Sequence, residues 1–369
     1  MPADRRYPRP ARCPRAFRPG TADGTAAAGI ASRSGRWHAM MWSRRKTVAA
    51  ASAAVAVAGV TTGLILVSGS GQGTPAKPAH SATASPAQLL SPFTGEPVTA
   101  LRRVLAVKID NIAQARPQTG LTSADIVYVL PVEGGLSRFL AVFSARLPPV
   151  IGPVRSARED DLELLRQFGR PAFAFSGATN TLLPVVERAR IVNLYSGVRS
   201  GYFRGTTRVA PYNLYAHTSQ LLAQAKGASL AHSIGFRFGP APAGGRLTAA
   251  MSVSYPAASF SFTWSAAKGR WLVSMDGARA ASTEDGQLSA ATVVIQHTIV
   301  RTSRFLEYGK PPPYAESTGS GTAIVLRDGR AYQARWSRPA ADGGTTFTTA
   351  SGQPMTFAAG PVWIVLAAG

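Results

Sequence analysis

One cysteine, Cys13, stands in 369 residues. No disulfide can form within the chain, so whatever folds here is held by its core. Acidic residues are scarce: 18 Asp and Glu face 40 Lys and Arg, a net charge of +22. Histidine is scarce too. His38 and His80 lie in stretches that read as disordered, and His217, His232 and His297 stand far apart in sequence. No metal site and no cofactor are expected from such spacing. A G-x-S-x-G elbow, a P-loop and an H-E-x-x-H pair are all missing, which removes the commonest hydrolase, nucleotide and zinc-protease signatures. Basic chains invite a nucleic-acid reading. Here there is no zinc spacing, no helix-turn-helix pattern and no aromatic-basic RNA motif, so no nucleic-acid partner is expected. Anionic lipid headgroups and wall polymers attract cations by the same Coulomb physics. A codon bias toward arginine, which supplies 34 of the 40 cations, would give the same balance.

The charge is unevenly placed. Residues 1–46 hold eleven Lys and Arg and two acids, Asp4 and Asp23. Residues 1–39 read as a disordered basic leader without apolar periodicity, and Met40 and Met41 offer an alternative translation start. Residues 40–67 read as a signal or transmembrane anchor. The run TVAAASAAVAVAGVTTGLILV at 47–67 is uncharged, and at ~1.5 Å per residue it spans a hydrocarbon layer of ~30 Å. Arg44, Arg45 and Lys46 precede it, which places the C-terminal part outside the cytoplasm. Retention of the anchor is expected; secretion after cleavage, for example near Ala82-Thr83-Ala84, is the alternative. Residues 68–92, rich in Ser, Gly, Pro and Ala, read as a flexible linker.

The fold class expected beyond that point is α+β, an N-terminal α/β layered domain followed by a mainly antiparallel β domain. In 93–238, strands are expected at 104–109, 126–130, 139–143, 172–175 and 191–195. Ser156-Ala157-Arg158-Glu159 has the form of a capping box, predicting a helix over 157–168 that Gly169 stops. Further helices are expected at 179–189 and 217–226. The stretch GPAPAGG at 239–245 marks a boundary. In 246–369, short strands alternate with Asp-Gly turns at 276–277, 285–286 and 328–329, and Phe260, Phe262 and Trp264 alternate as on one sheet face. Trp264, Trp271, Trp336 and Trp363 form either a stacking surface for sugars or core.

The densest polar constellation lies between 108 and 158. Lys108, Asp110, Asn111, Arg116, Gln118, Glu133, Arg138, Arg155, Ser156 and Arg158 are the candidate ligand-binding residues, many of them at strand ends or in Gly/Pro turns. Two cations flanking a helix start need compensation, either from Asp110, Asp125 or Glu133 or from a bound anion. The same three carboxylates are the catalytic candidates for acid/base hydrolysis of a glycan. A closed network that only fixes loops is the third reading.

The run VLAVKIDNIAQARPQTGLTSADIVYVLPVEGGLSRF, followed by IGPVRSARED, resembles the YerB-like lipoprotein family of Gram-positive bacteria. Arg208-Val209-Ala210-Pro211-Tyr212-Asn213-Leu214-Tyr215 is similar to a second family motif. Looser matches follow at Thr263-Trp264, Val293-Val294-Ile295-Gln296, Asp328-Gly329-Arg330, Ala334-Arg335-Trp336 and Val362-Trp363-Ile364, so the resemblance covers about 93–369. It implies an envelope location and two domains of unknown function, and supplies no reaction. The chain departs from the family pattern at Val129, where an acid is usual, and at Tyr212, where His is usual. The lipid-bearing cysteine is also missing, so attachment would be by the apolar helix alone. The partners expected are an anionic cell-wall polymer or an envelope protein, with the membrane engaged through 47–67.

Overall fold

The computed structural model describes residues 88–369 apart from Asp285. The basic leader, the apolar segment 47–67 and the linker as far as residue 87 lie outside the described residues. Among the described residues no helix is long and apolar enough to cross a membrane. The end of the expected linker already belongs to the fold: Ser91 is buried, and its hydroxyl accepts hydrogen bonds from the amides of Phe93 and Thr94.

Short apolar runs bounded by turn residues become strands. Those of the first half are β1 (Leu105–Asp110), β2 (Ile126–Pro131), β3 (Ser137–Phe143) and β4 (Val150–Ile151). Helix α1 (Glu159–Leu165), β5 (Ala172–Phe175), α2 (Leu183–Arg188), β6 (Val192–Tyr195), β7 (Tyr202–Arg204), β8 (Leu214–His217) and α3 (Thr218–Ala223) follow. The second half is made of β9 (Arg246–Leu247), β10 (Ala250–Tyr255), β11 (Ala258–Ser265), β12 (Arg270–Met275), β13 (Ala278–Arg279) and β14 (Ser289–Ala290), and then β15 (Thr292–Thr298), β16 (Val300–Thr302), β17 (Pro313–Ala315), β18 (Gly319–Arg327), β19 (Arg330–Arg338), β20 (Thr346–Thr349) and β21 (Val362–Ala368). The described residues are mixed and β-rich, spread over several sheets.

All three expected helices are shorter than predicted. Arg158 is extended, so α1 begins at Glu159 and Ser156 is not its cap; the amide of Arg158 donates to the Asp161 carboxylate at 2.7 Å instead. After Leu165 the helix tightens to a 3-10 turn that ends at Gly169, the expected stop. Pro184 sits in the first turn of α2, where its missing N–H costs nothing, and the helix starts there rather than at 179. Two of the three Asp-Gly pairs turn as predicted: Asp276-Gly277 and Asp328-Gly329 both hold positive φ at both positions, the type I′ geometry that joins antiparallel strands.

The main sheet has eleven strands and runs β20-β19-β18-β15-β21-β2-β3-β1-β5-β6, with β9 beside β19. The C-terminal strand β21 lies parallel between β15 and β2, so one sheet passes from the first half of the chain into the second. Its residues Val362, Trp363, Ile364, Val365 and Leu366 are all buried, which explains a strand apolar on both faces. One face of the sheet carries Ala106, Tyr128, Leu140, Ile364 and Val325, packed with Leu164, Leu165 and Phe168 of the α1 region. The other carries Val107, Val129, Ala141, Val365 and Leu326, covered by Phe260, Phe262, Trp271 and Val273 of the smaller sheet β10–β14. Trp271, Trp336 and Trp363 are core, and Trp264 packs half-buried beside Trp271, so the sugar-stacking surface does not exist.

Candidate functional site

Strand alternation sets the site. Lys108 and Asp110 point to the α1 face of β1, and register places Arg138 of β3 directly opposite Asp110. The β2–β3 hairpin turn carries Glu133, followed by Gly134 and Gly135, both at positive φ. A Cβ at Gly135 would stand 2.7 Å from Pro256, so only glycine lets this turn lie against the second half. The segment after β4 brings Arg155 and Arg158 to the same end.

These residues form a network of short contacts. Lys108 Nζ meets Asp161 Oδ1 at 2.6 Å, both side chains fully buried. Glu133 accepts from Arg138 at 3.0 Å and from Arg158 Nε at 3.0 Å, while Arg158 also donates to Glu307 at 3.0 Å. Arg116 donates to the Asn111 side chain at 3.1 Å, the Asn111 carbonyl at 2.7 Å and Asp276 at 2.7 Å. Gln118 donates to Asn111 at 2.9 Å, and Asn111 donates to Ser137 at 2.9 Å. Ser156 enters mainly through its carbonyl, which accepts from Arg138 at 3.2 Å.

The expected compensation of the two arginines is internal for both: Asp110 stands 2.8 Å from Arg155, and Glu133 grips Arg158. Asp125 has no part in it. It sits at the opposite end of the sheet, some five residues or ~17 Å along the strands. There it accepts from the amides of Ser144 at 2.6 Å and Ala145 at 2.9 Å. Burial raises Asp125 to about 7, against the pull of those two amides. Glu133 is pushed up by burial, but the Arg158 hydrogen bond and the charges of Arg138 and Arg158 outweigh it and hold the carboxyl at about 2. Burial lowers Arg138 to about 10, with the charge of Arg158 adding to it. A carboxyl held that low cannot donate a proton to a leaving group near neutral pH, and Asp125 is out of reach of the other two. The geometry therefore gives no support to a two-carboxylate glycan hydrolase.

One opening remains. A pocket of about 120 Å³ is lined by Asp110, Glu133, Arg138, Arg155 and Tyr212, with Ile112, Val132, Leu136 and Ser137 completing its wall. Arg155 lies 5.8 Å from the centre of the Tyr212 ring. Of the candidate residues, Asp110, Glu133, Arg138 and Arg155 meet here; Lys108, Asn111, Arg116, Gln118, Ser156 and Arg158 support them from outside the pocket wall. Glu307, Asp276 and Asp161, which fix Arg158, Arg116 and Lys108, were missed by sequence reasoning. Asp161 was findable as the third acid in the first turn of a helix; Glu307 and Asp276 arrive from the other half of the chain with no local signal.

Residues 93–231 match the family described as "Protein of unknown function (DUF3048) N-terminal domain", and residues 251–364 match its C-terminal domain. A stretch of 75 residues is 48% identical to "Putative lipoprotein YerB" of Bacillus subtilis (strain 168), covering 20% of this chain and 23% of that protein. The crystal structure of the YerB protein from Bacillus subtilis superposes with a TM-score of 0.65 at 22% identity, over 76% of this chain and 97% of that one. The second figure speaks for a shared fold. With both domain families matched in order and a 75-residue stretch 48% identical to YerB, the chain belongs to the YerB-like family.

Proposed function

We propose that this is a membrane-anchored, extracytoplasmic envelope protein that binds a charged component of the cell wall or membrane, or an envelope protein bearing such a group, in the pocket at the end of β1 and β3. The observation that carries it is the pocket itself: a concave opening where Asp110, Glu133, Arg138 and Arg155 converge from three separate segments. The location is supported by the uncharged segment 47–67 behind a basic flank and by the lipoprotein description of the Bacillus relative. The excess of arginine supports long-range attraction to an anionic polymer, with the pocket supplying recognition at short range.

A scaffold role is the second reading. It is favoured by the closed part of the network, in which Arg116, Arg158 and Lys108 are satisfied by Asp276, Glu307 and Asp161. The two separate on one experiment. The full chain, purified in detergent, is mixed with purified wall material and with anionic vesicles and sedimented. Binding predicts that wild type sediments and that Arg155→Ala, which breaks no aligned hydrogen bond, loses most of the association. Equal sedimentation of both, or none by either, supports the scaffold.

A further inference from the structure

The pocket contains a mismatched pair. Asp110 Oδ2 and Arg155 Nε stand 2.8 Å apart, yet they are not aligned as donor and acceptor, and neither atom has any other hydrogen-bond partner. Asp110 is 4% exposed, and its other oxygen already accepts from the Asn111 amide at 3.0 Å. Leaving a buried polar atom unpaired costs stability, because the hydrogen bond it made to water in the unfolded chain is not replaced. Most other atoms of the network are matched: Glu133 is held by two arginines, Asn111 is engaged on both its oxygen and its nitrogen, and Arg138 reaches Glu133 and the Ser156 carbonyl. Gln118 Oε1 is also without a partner, but Gln118 is not part of the pocket wall. Asp110 Oδ2 and Arg155 Nε thus balance each other's charge without a hydrogen bond; both atoms are shielded from solvent, both residues line the same small space, and a ligand must part the pair to reach them.

A ligand that answers both must bring a donor to Asp110 and an acceptor to Arg155. A bare anion answers the arginine and is repelled by Asp110; a bare cation does the reverse. Spacing narrows the choice further. Asp110 Oδ2 and Arg155 Nε are only 2.8 Å apart, so the ligand's two charges must lie close together. The head of a free amino acid carries its ammonium and carboxylate on one carbon. Phosphoethanolamine sets them on a longer spacer and suits the pair less well. Ile112, Val132 and Leu136 give the wall an apolar part suited to a methyl or methylene group.

We infer that the pocket takes a free α-amino-carboxylate head, with its ammonium on Asp110 and its carboxylate on Arg155. This rests on the pocket being the binding site. A wall peptide whose branching diamino acid keeps one such head unacylated presents this group. An ordinary peptide C-terminus, whose nitrogen is acylated, does not.

Calorimetric titration of the detergent-purified full chain tests it, with alanine, a 2,6-diamino dicarboxylic acid, N-acetylalanine, alaninamide, acetate and phosphoethanolamine as probes. The two amino acids should bind. N-acetylalanine and alaninamide should each bind at least about tenfold more weakly, as expected for loss of one charge-assisted contact. Asp110→Asn and Arg155→Gln should each lose alanine binding, with melting temperature and circular dichroism confirming that the variants fold. Acetate or phosphoethanolamine binding as well as alanine overturns the inference, and so does failure of folded wild type to bind either amino acid. If amino acids fail while sedimentation with the envelope still depends on Arg155, the ligand class falls and the binding site stands. If that dependence is absent as well, both fall.

Discussion

Glu133 is the residue on which the network closes. Its carboxylate neutralises Arg138 and Arg158, whose side chains are 7% and 3% exposed. Removing one partner of a buried pair leaves an uncompensated charge, so Glu133→Gln should destabilise the protein by roughly 3 kcal/mol, the lower end of that class because Glu133 is itself partly exposed. Urea unfolding would measure it, and a change below ~1 kcal/mol would contradict the assignment. Asp125 works in the opposite direction. Its folded pKa, about 7, lies above the ordinary 3.8, so its contribution to stability is complete below pH ~4 and is lost as pH rises through 7. Asp125→Asn keeps an oxygen for the two amides and should flatten the fall in melting temperature between pH 4 and 8, an effect on the order of 3 kcal/mol at neutral pH. An unchanged pH profile would mean that the carboxyl is ionised in the fold. At this scale the sequence showed the polar cluster but not its pairing. Asp110, Glu133 and Asp125 look alike in a string of letters. Only strand direction shows that β1 and β2 run the same way on either side of β3, so that Asp125 before the start of β2 lies far from Asp110 at the end of β1 and from Glu133 beyond the end of β2.

Helix α1 docks on the sheet through a charge as well as through Leu164, Leu165 and Phe168. Lys108 points from the middle of β1 into that face and meets Asp161, whose second oxygen takes the Arg158 amide at the helix start. Lys108→Met should cost ~3–5 kcal/mol by stranding Asp161. The companion change Lys108→Met with Asp161→Asn, which keeps the acceptor for Arg158, should recover part of it, giving a coupling energy in a double-mutant cycle. Additive effects would show that the contact does not form. The strands were legible at this scale because fully buried strands are short, continuous apolar runs. The start of α1 was not. Ser156 and Glu159 have the right letters for a capping box, but the amides of residues 155 and 157 are already committed to the Lys108 and Gly177 carbonyls. Tertiary hydrogen bonds hold the chain extended there, and the helix waits until Arg158 is past.

The two halves of the chain share one sheet, joined where β21 inserts between β2 and β15. Glu159 reaches Ser303 and Arg304, and Glu163 reaches Tyr314, Ser317 and Thr318, so ion pairs and hydrogen bonds cross the same seam as the strands. Unfolding should therefore be a single calorimetric transition for the described residues, and truncation before Val362 should expose both halves to protease together. Two resolved transitions would contradict the shared sheet. Sequence alone points to a break at the Pro/Gly stretch 239–245. It carries no trace of a strand pairing that joins residue 126 to residue 362, because such long-range pairing has no local pattern. The pocket draws on the same distant contacts, since Glu307 and Asp276 hold two of its supporting arginines in place. A photo-crosslinking amino acid at Ile112, on the pocket wall, compared with one at Thr263 on the exposed face of β11, tests the binding claim in living cells. The account predicts a covalent adduct with an envelope component from position 112 that disappears when Arg155→Gln is added, and none from position 263. Equal labelling from both positions, or an adduct at 112 indifferent to Arg155, would contradict it.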